Sequence, residues 1–221
     1  VCIRLCRVHI FFVVEAPERG HGRRVAGRST ASSIALMLKS SALLIVPAGA
    51  AVAASIAAAP GARGALGAGL ALLMLAIAVI DGRHFIIPDS LNATALVLGF
   101  LYAALQGEGD VANALAMAAL RGAVLALMFY VLRALYLRLR GREGLGLGDV
   151  KLAAVAGSWL GWLAMPIAIE IAAVTALAVY AVRHFILRRP VRAATRLPFG
   201  LFFAPAIWIG WWLDAAVLQP Y

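Results

Sequence analysis

From residue 34 onward the sequence is a succession of long, nearly uncharged apolar stretches, broken by short charged or glycine- and proline-bearing segments. They run Ile34–Ala59, Ala65–Ile80, Leu91–Leu105, Val111–Tyr136, Asp149–Trp162, Ile167–Val182 and Pro198–Leu213. Crossing a bilayer as a helix takes about 17 to 25 such residues. The chain is 64% hydrophobic and 14% charged over 221 residues. A water-soluble fold of that size could not cover so much apolar surface. The expected fold is therefore all-α: one polytopic membrane domain of six to seven transmembrane helices, over residues 34–217. Residues 1–33 read as a flexible cytoplasmic tail, because Val8–Val14 is too short to span and a polar, turn-rich segment follows it. The fifth and sixth stretches are short, and a single kinked helix or a tilted pair would also fit them.

The net charge of +10 would in isolation point to nucleic acid. The arginines, however, fall in short clusters between apolar runs, the pattern of cytoplasmic loops. With the N-terminus in the cytoplasm, segments 81–90, 133–148 and 183–197 lie inside and hold nearly all the Arg and Lys. The outer turns hold Arg63 against Glu108, Asp110 and Asp214. The partner implied by charge is thus the lipid bilayer and not a nucleic acid. Inside the fourth stretch, Arg121 must find a partner or a wet cleft, since a charge at that depth costs roughly 2.5–3.5 kcal/mol. Glu170, in the sixth stretch, is its expected structural partner. Trp208, Trp211 and Trp212 are expected as interfacial anchors at the end of the last span.

Both cysteines, Cys2 and Cys6, lie at the extreme N-terminus and read as incidental thiols, with no disulfide framework. No His/Cys set has metal-ligand spacing, and His84 and His184 read as loop residues. Neither G-x-S-x-G, H-E-x-x-H nor a P-loop occurs, so motif evidence offers nothing for serine hydrolases, zincins or NTPases.

Two acids stand out instead. Asp81 ends the second apolar stretch, in Ile80-Asp81-Gly82-Arg83-His84-Phe85-Ile86-Ile87-Pro88-Asp89. Asp149 opens the fifth, after the glycine-rich turn Gly144-Leu145-Gly146-Leu147-Gly148. Two spans separate them, one going out and one returning, so both belong at the same membrane face. If spans two and five pack side by side, the acids can meet; Gly157, Ser158 and Gly161 would permit close approach. Two carboxylates about 3 Å apart share one proton, which lets one take a proton from water while the other donates to a carbonyl. Gly146 and Gly148 would allow positive φ and a close backbone approach. Plainer readings stand beside this one. Asp149 could only cap its helix, and Asp81 could pair with Arg83. Asp89 could cap the third span, and Lys151 could snorkel or neutralise a carboxylate.

Three blocks in order carry a family resemblance. Gly146-Leu147-Gly148-Asp149-Val150-Lys151-Leu152, continuing to Gly157-Ser158-Trp159-Leu160-Gly161, resembles the G-x-G-D block of bacterial type IV prepilin peptidases. Asp81 with Ile87-Pro88-Asp89 resembles a second block, and Leu197-Pro198-Phe199-Gly200 a third. The resemblance implies an intramembrane aspartyl endopeptidase of the bacterial inner membrane, facing the cytoplasm, with prepilins or pseudopilins as substrates and no cofactor. It makes Asp81 and Asp149 the catalytic pair, with Gly146, Gly148, Lys151 and Asp89 shaping the site or binding substrate. Long members carry an insert with two C-x-x-C pairs and N-methylate the new N-terminus. This sequence has neither the insert nor those cysteines, so it looks more like the short, Flp/Tad-type peptidases, and methyl transfer is not expected. Two other readings remain: a signal-peptide-peptidase-like protease with other substrates, and a non-catalytic assembly or transport protein with a polar path through its helices.

Overall fold

The computed structural model describes residues 30–59, 61–107, 109–141, 144–186 and 198–218. The tail expected over residues 1–33, with both cysteines, therefore lies almost wholly outside the described residues, as does most of the basic segment 183–197. Residues 1–47 and 48–221 form two compact units. The described part of the first is helical, and all that follows concerns the second.

All the described elements are helices: α1 (Thr30–Ala58), α2 (Ala62–His84), α3 (Asp89–Gln106), α4 (Val111–Arg140), α5 (Leu147–Trp159), α6 (Ala164–Ala181) and α7 (Phe199–Leu213). Two π-helical turns, Val182–Ile186 and Asp214–Leu218, extend α6 and α7. Four stretches are long and apolar enough to cross a membrane: α2, α4, α6, and α7 with its extension. Large apolar side chains such as Leu127, Leu139, Val174 and Leu177 face outward from α4 and α6. An outward apolar face of this kind is what lipid requires and water penalises. The protein is an all-α, polytopic membrane protein.

Local chemistry sets the helix ends. Asp110 caps α4, its Oδ1 accepting the Asn113 N–H at 2.9 Å. Gly141 closes α4 in the left-handed conformation, its N–H donating to the Leu137 carbonyl at 2.9 Å. The other ends differ from expectation in one consequential way. α2 does not stop at Ile80 but runs to His84, so Asp81 lies inside its last turn and only residues 85–88 are non-helical. Phe85 closes that helix at φ 56°, the only non-glycine residue with positive φ among those described.

α7 packs against α2 on one side and α6 on the other, and α5 lies against α3, α4 and α7. Small residues make these approaches close, though not between the partners expected. A Cβ on Gly157 would overlap the carbonyl of Arg121, so this glycine brings α5 onto α4. Ser158 lies where a Cβ on Gly99 of α3 would be. α2 and α5 do not pack side by side; α3 and α7 each touch both and stand between them. In a membrane, where lipid is as apolar as the core, such close packing and interhelical hydrogen bonds supply the association energy.

An aromatic cluster fastens α3, α5 and α7. Tyr102 stacks on Trp159 at 5.1 Å, and Trp211 meets both edge-on, at 6.0 and 6.5 Å. Trp159 Nε1 donates to the Ala95 carbonyl at 2.8 Å. Trp211 is fully buried and so is core rather than an interfacial anchor; a Cβ on Gly67 of α2 would overlap its ring. Trp208 Nε1 reaches Ser55 Oγ of α1 at 3.0 Å.

Candidate active site

The C-terminal end of α2 and the N-terminal ends of α3 and α5 converge on one cavity of about 250 Å³. Asp81 and Asp149 both line it, together with Asp89, Gly146, Gly148 and the loop that carries Ile87. Both residues are buried, Asp81 5% and Asp149 9% exposed. The two acids thus line one cavity although their helices do not lie side by side.

Each acid is held by main-chain N–H groups at the start of a helix. Asp149 is the third residue of α5, and its Oδ2 accepts the N–H of the N-cap residue Gly146 at 3.1 Å. It does satisfy a helix end, as the capping reading expected, but from inside the first turn and from the wall of the cavity. Asp81 does the same for a helix that is not its own. Its Oδ2 accepts the Leu201 N–H in the first turn of α7 at 2.9 Å, with the Gly200 N–H beside it. Free N–H groups at a helix start stabilise a negative charge. Neither acid needs an arginine partner, and the expected Asp81–Arg83 pairing gives way to this main-chain cradle.

The glycines act through space rather than through φ. Gly146 has φ −76°, and neither it nor Gly148 is among the positive-φ glycines, Gly61, Gly109 and Gly141. A Cβ on Gly148 would stand 3.1 Å from the Ile87 Cβ. One on Gly200 would stand 2.8 Å from Asp81 Oδ2 and 2.9 Å from Ile87 Cδ1. Ile87 is buried beside both glycines and lines the cavity with the two acids.

Asp89 lines the cavity and is paired with Lys151. Lys151 Nζ meets Asp89 Oδ1 at 2.7 Å, with side chains 53% and 74% exposed. Asp89 is not the cap of α3: Pro88 is the N-cap residue, no side-chain cap bond forms, and the lysine takes the carboxylate instead. Behind the glycine turn, Arg133 Nε donates to the Leu145 carbonyl at 3.1 Å, tying the turn to α4.

The other polar residues singled out in the sequence lie elsewhere. The acid that acts on Arg121 is Asp214 and not Glu170, which is exposed on α6. A continuous polar path through Arg121, Glu170 and the cavity acids is therefore not the arrangement found. His84 closes α2, and His184 stacks on Tyr180. No group of three or more His, Cys, Asp or Glu that could hold a metal occurs among the described residues. Sequence reasoning passed over Leu201. The available signal was Pro198-Phe199-Gly200, a rigid start and a side-chain-free second position that bring the first N–H groups of α7 against a neighbour.

Two buried acids thus line one cavity at the converging ends of helices in an all-α membrane protein. The family model described as the type IV leader peptidase family matches residues 68–182, more than half the chain, and takes in both acids. The chain belongs to that family. Several proteins named prepilin leader peptidase/N-methyltransferase are similar to it. One from Burkholderia pseudomallei is 40% identical over 136 residues, 62% of this chain and 42% of that protein. One from Aeromonas salmonicida is 31% identical over 140 residues, 63% of this chain and 46% of the relative. One from Escherichia coli K12 is 34% identical over 131 residues, 59% and 55% respectively. The matched region thus spans about half or less of each relative's length. No solved structure matches the chain.

Proposed function

We propose that this chain is a prepilin leader peptidase, an intramembrane aspartyl endopeptidase that removes the leader of prepilin-like proteins at the cytoplasmic face of the bacterial inner membrane. The observation that carries the reading is the shared cavity: Asp81 and Asp149, brought from helices distant in sequence, line one small, partly closed space. The family and the names of the relatives supply the substrate class.

In this reading the pair holds one proton between them. One carboxylate takes a proton from water as the water oxygen bonds to the scissile carbonyl carbon. The other, protonated, donates to the carbonyl oxygen. Collapse of the tetrahedral intermediate breaks the C–N bond, and the proton taken from water passes to the leaving amine. The main-chain cradles hold both acids in place, so that geometry is set before substrate arrives. Asp89 and Lys151 meet the substrate at the rim, and Gly146 and Gly148 keep the wall thin enough for an extended strand. Arg133, Arg138 and Arg140 lie towards the C-terminal end of α4, and by the positive-inside rule they support a cytoplasmic side for that end.

The test is coexpression of the chain with candidate prepilins, followed by N-terminal sequencing of the product. Asp81→Asn, Asp149→Asn and the double variant should each lose leader removal by on the order of 10⁴-fold and to a similar extent, because the acids act as a unit. Retained cleavage in either single variant, with the protein inserted, would overturn the proposal.

A further inference from the structure

α5 is too short for the membrane that the helices around it cross. Its 13 residues give about 20 Å of helix, against roughly 30 Å of hydrocarbon. It ends at Trp159; Leu160 is extended, and the chain reverses through Gly161 into α6. A helix end and a turn at that depth expose main-chain groups that lipid cannot hydrogen-bond, and such backbone persists only where protein satisfies it.

Two charged side chains do this here. Arg121, from α4, donates through Nε to the Gly157 carbonyl in the last turn of α5 at 3.3 Å. Asp214, at the end of α7, accepts the Gly161 N–H just beyond α5 at 3.2 Å. The two opposite charges attract each other. The arginine sits where the helix dipole is negative, which also favours it. Intramembrane charges are expensive, and neither residue lines the cavity that holds the two acids.

We propose that Arg121 and Asp214 are positioning residues: an opposed-charge cap on the buried end of α5 that fixes this helix against α4 and α7, and so fixes Asp149 against Asp81. The connection is direct. α5 carries Asp149 in its first turn and is clamped by this cap at its last. α7 holds Asp81 through its first turn and contributes Asp214 just past its last. The two helices that position the acids at one end are therefore pinned to each other at the opposite end. With the cap lost, α5 can slide or tilt, and a displacement of about 1 Å at reacting groups can cost on the order of 100-fold in rate.

This inference rests on reading the cavity acids as a catalytic pair, and the test separates the two ideas. Cys2 and Cys6 are replaced by Ser in the full chain, and spin labels are placed on cysteines at Phe85 and Leu147, exposed residues on the two sides of the cavity. Distances between the labels are measured in proteoliposomes for the parent, Asp214→Leu, Asp214→Asn and Arg121→Leu. Without labels, the same variants are assayed for leader-removal kcat and KM per folded molecule. Removing the cap should shift or broaden the label distance and lower kcat on the order of 100-fold with KM unchanged. Asp214→Asn keeps an acceptor for Gly161 and should fall between Asp214→Leu and the parent, which keeps the comparison informative if Asp214→Leu does not fold. An unchanged distance and an unchanged kcat per folded molecule, with only yield or thermal stability reduced, would overturn the positioning role. If the parent cuts no leader, the protease reading fails, and the distance measurement alone decides whether the cap sets the gap.

Discussion

The backbone N–H of Leu201 meets Oδ2 of Asp81 at 2.9 Å across 120 positions of sequence, so that a carboxylate in the last turn of one helix caps the first turn of another. The bond joins α2 to α7 at the cavity and holds one of its two acids still.

Leu201→Pro removes that donor together with the leucine side chain, which packs beside Gly82 of α2. Proline is tolerated in the first turn of a helix, and Leu201 is the third residue of α7. The expected outcome is a stable, inserted protein whose leader-removal kcat falls by about ten- to a hundred-fold, since one charge-assisted hydrogen bond is worth about 1.5–3 kcal/mol. Leu201→Ala keeps the N–H and should retain most of the activity. Steady-state kinetics of the pair checks this; equal losses would show that the side chain matters and the N–H does not.

Gly200→Ala tests space at the same place. The new Cβ would lie 2.8 Å from Asp81 Oδ2 and 2.9 Å from Ile87 Cδ1, so the carboxylate has to move. Leader removal should drop at least about ten-fold, with a smaller melting shift than the roughly 1–3 kcal/mol of an unrelaxed overpacked contact would give, because this site can relax into the cavity. Gly148→Ala, whose Cβ would meet the Ile87 Cβ at 3.1 Å, should show a smaller loss. A larger loss from Gly148→Ala than from Gly200→Ala would contradict this order.

Lys151 and Asp89 are paired at 2.7 Å but largely exposed. Breaking such a pair should cost at most about 1 kcal/mol of stability. If the rim takes part in substrate binding, Asp89→Ala and Lys151→Ala should raise KM more than they lower kcat. Thermal melts and kinetics in parallel decide this; a large melting shift with KM intact would make the pair structural.

Gly67→Leu should damage the fold without touching the site. A side chain there collides with the buried ring of Trp211, at the α2–α7 contact. A loss of roughly 1–3 kcal/mol is expected, read as lower yield and melting temperature in detergent. Reducing the ring with Trp211→Ala in the same chain should recover part of it.

Much of this was legible in the residues. Each of the seven apolar stretches has an α-helix among the described residues, and four of these helices are long and apolar enough to cross a membrane. The parity of crossings placed Asp81 and Asp149 at one end of the bundle. What failed was partner assignment. Gly157 and Ser158 announced close packing but not against which helix, and they serve α4 and α3 rather than α2. Arg121 announced a need for an acid, but the acid is Asp214, placed by the return of α7, and not Glu170. Trp211 looked like its neighbours in sequence, yet it faces the Gly67 gap and is core. Asp89 has the composition of a cap, but Lys151, brought close by the α3–α5 contact, takes its carboxylate. Each miss is a contact between distant segments, and periodicity carries no information about those.

Because the supports of both carboxylates are main-chain donors, their identity is almost invisible to a survey of point variants. Every replacement at position 201 except proline leaves the N–H in place, and the same holds for the N–H at 146. A mutational scan of this chain would mark Asp81 and Asp149 as intolerant and pass over the donor at 201 that holds one of them. The donor itself survives any change at 201 short of proline, for as long as a helix begins at that point.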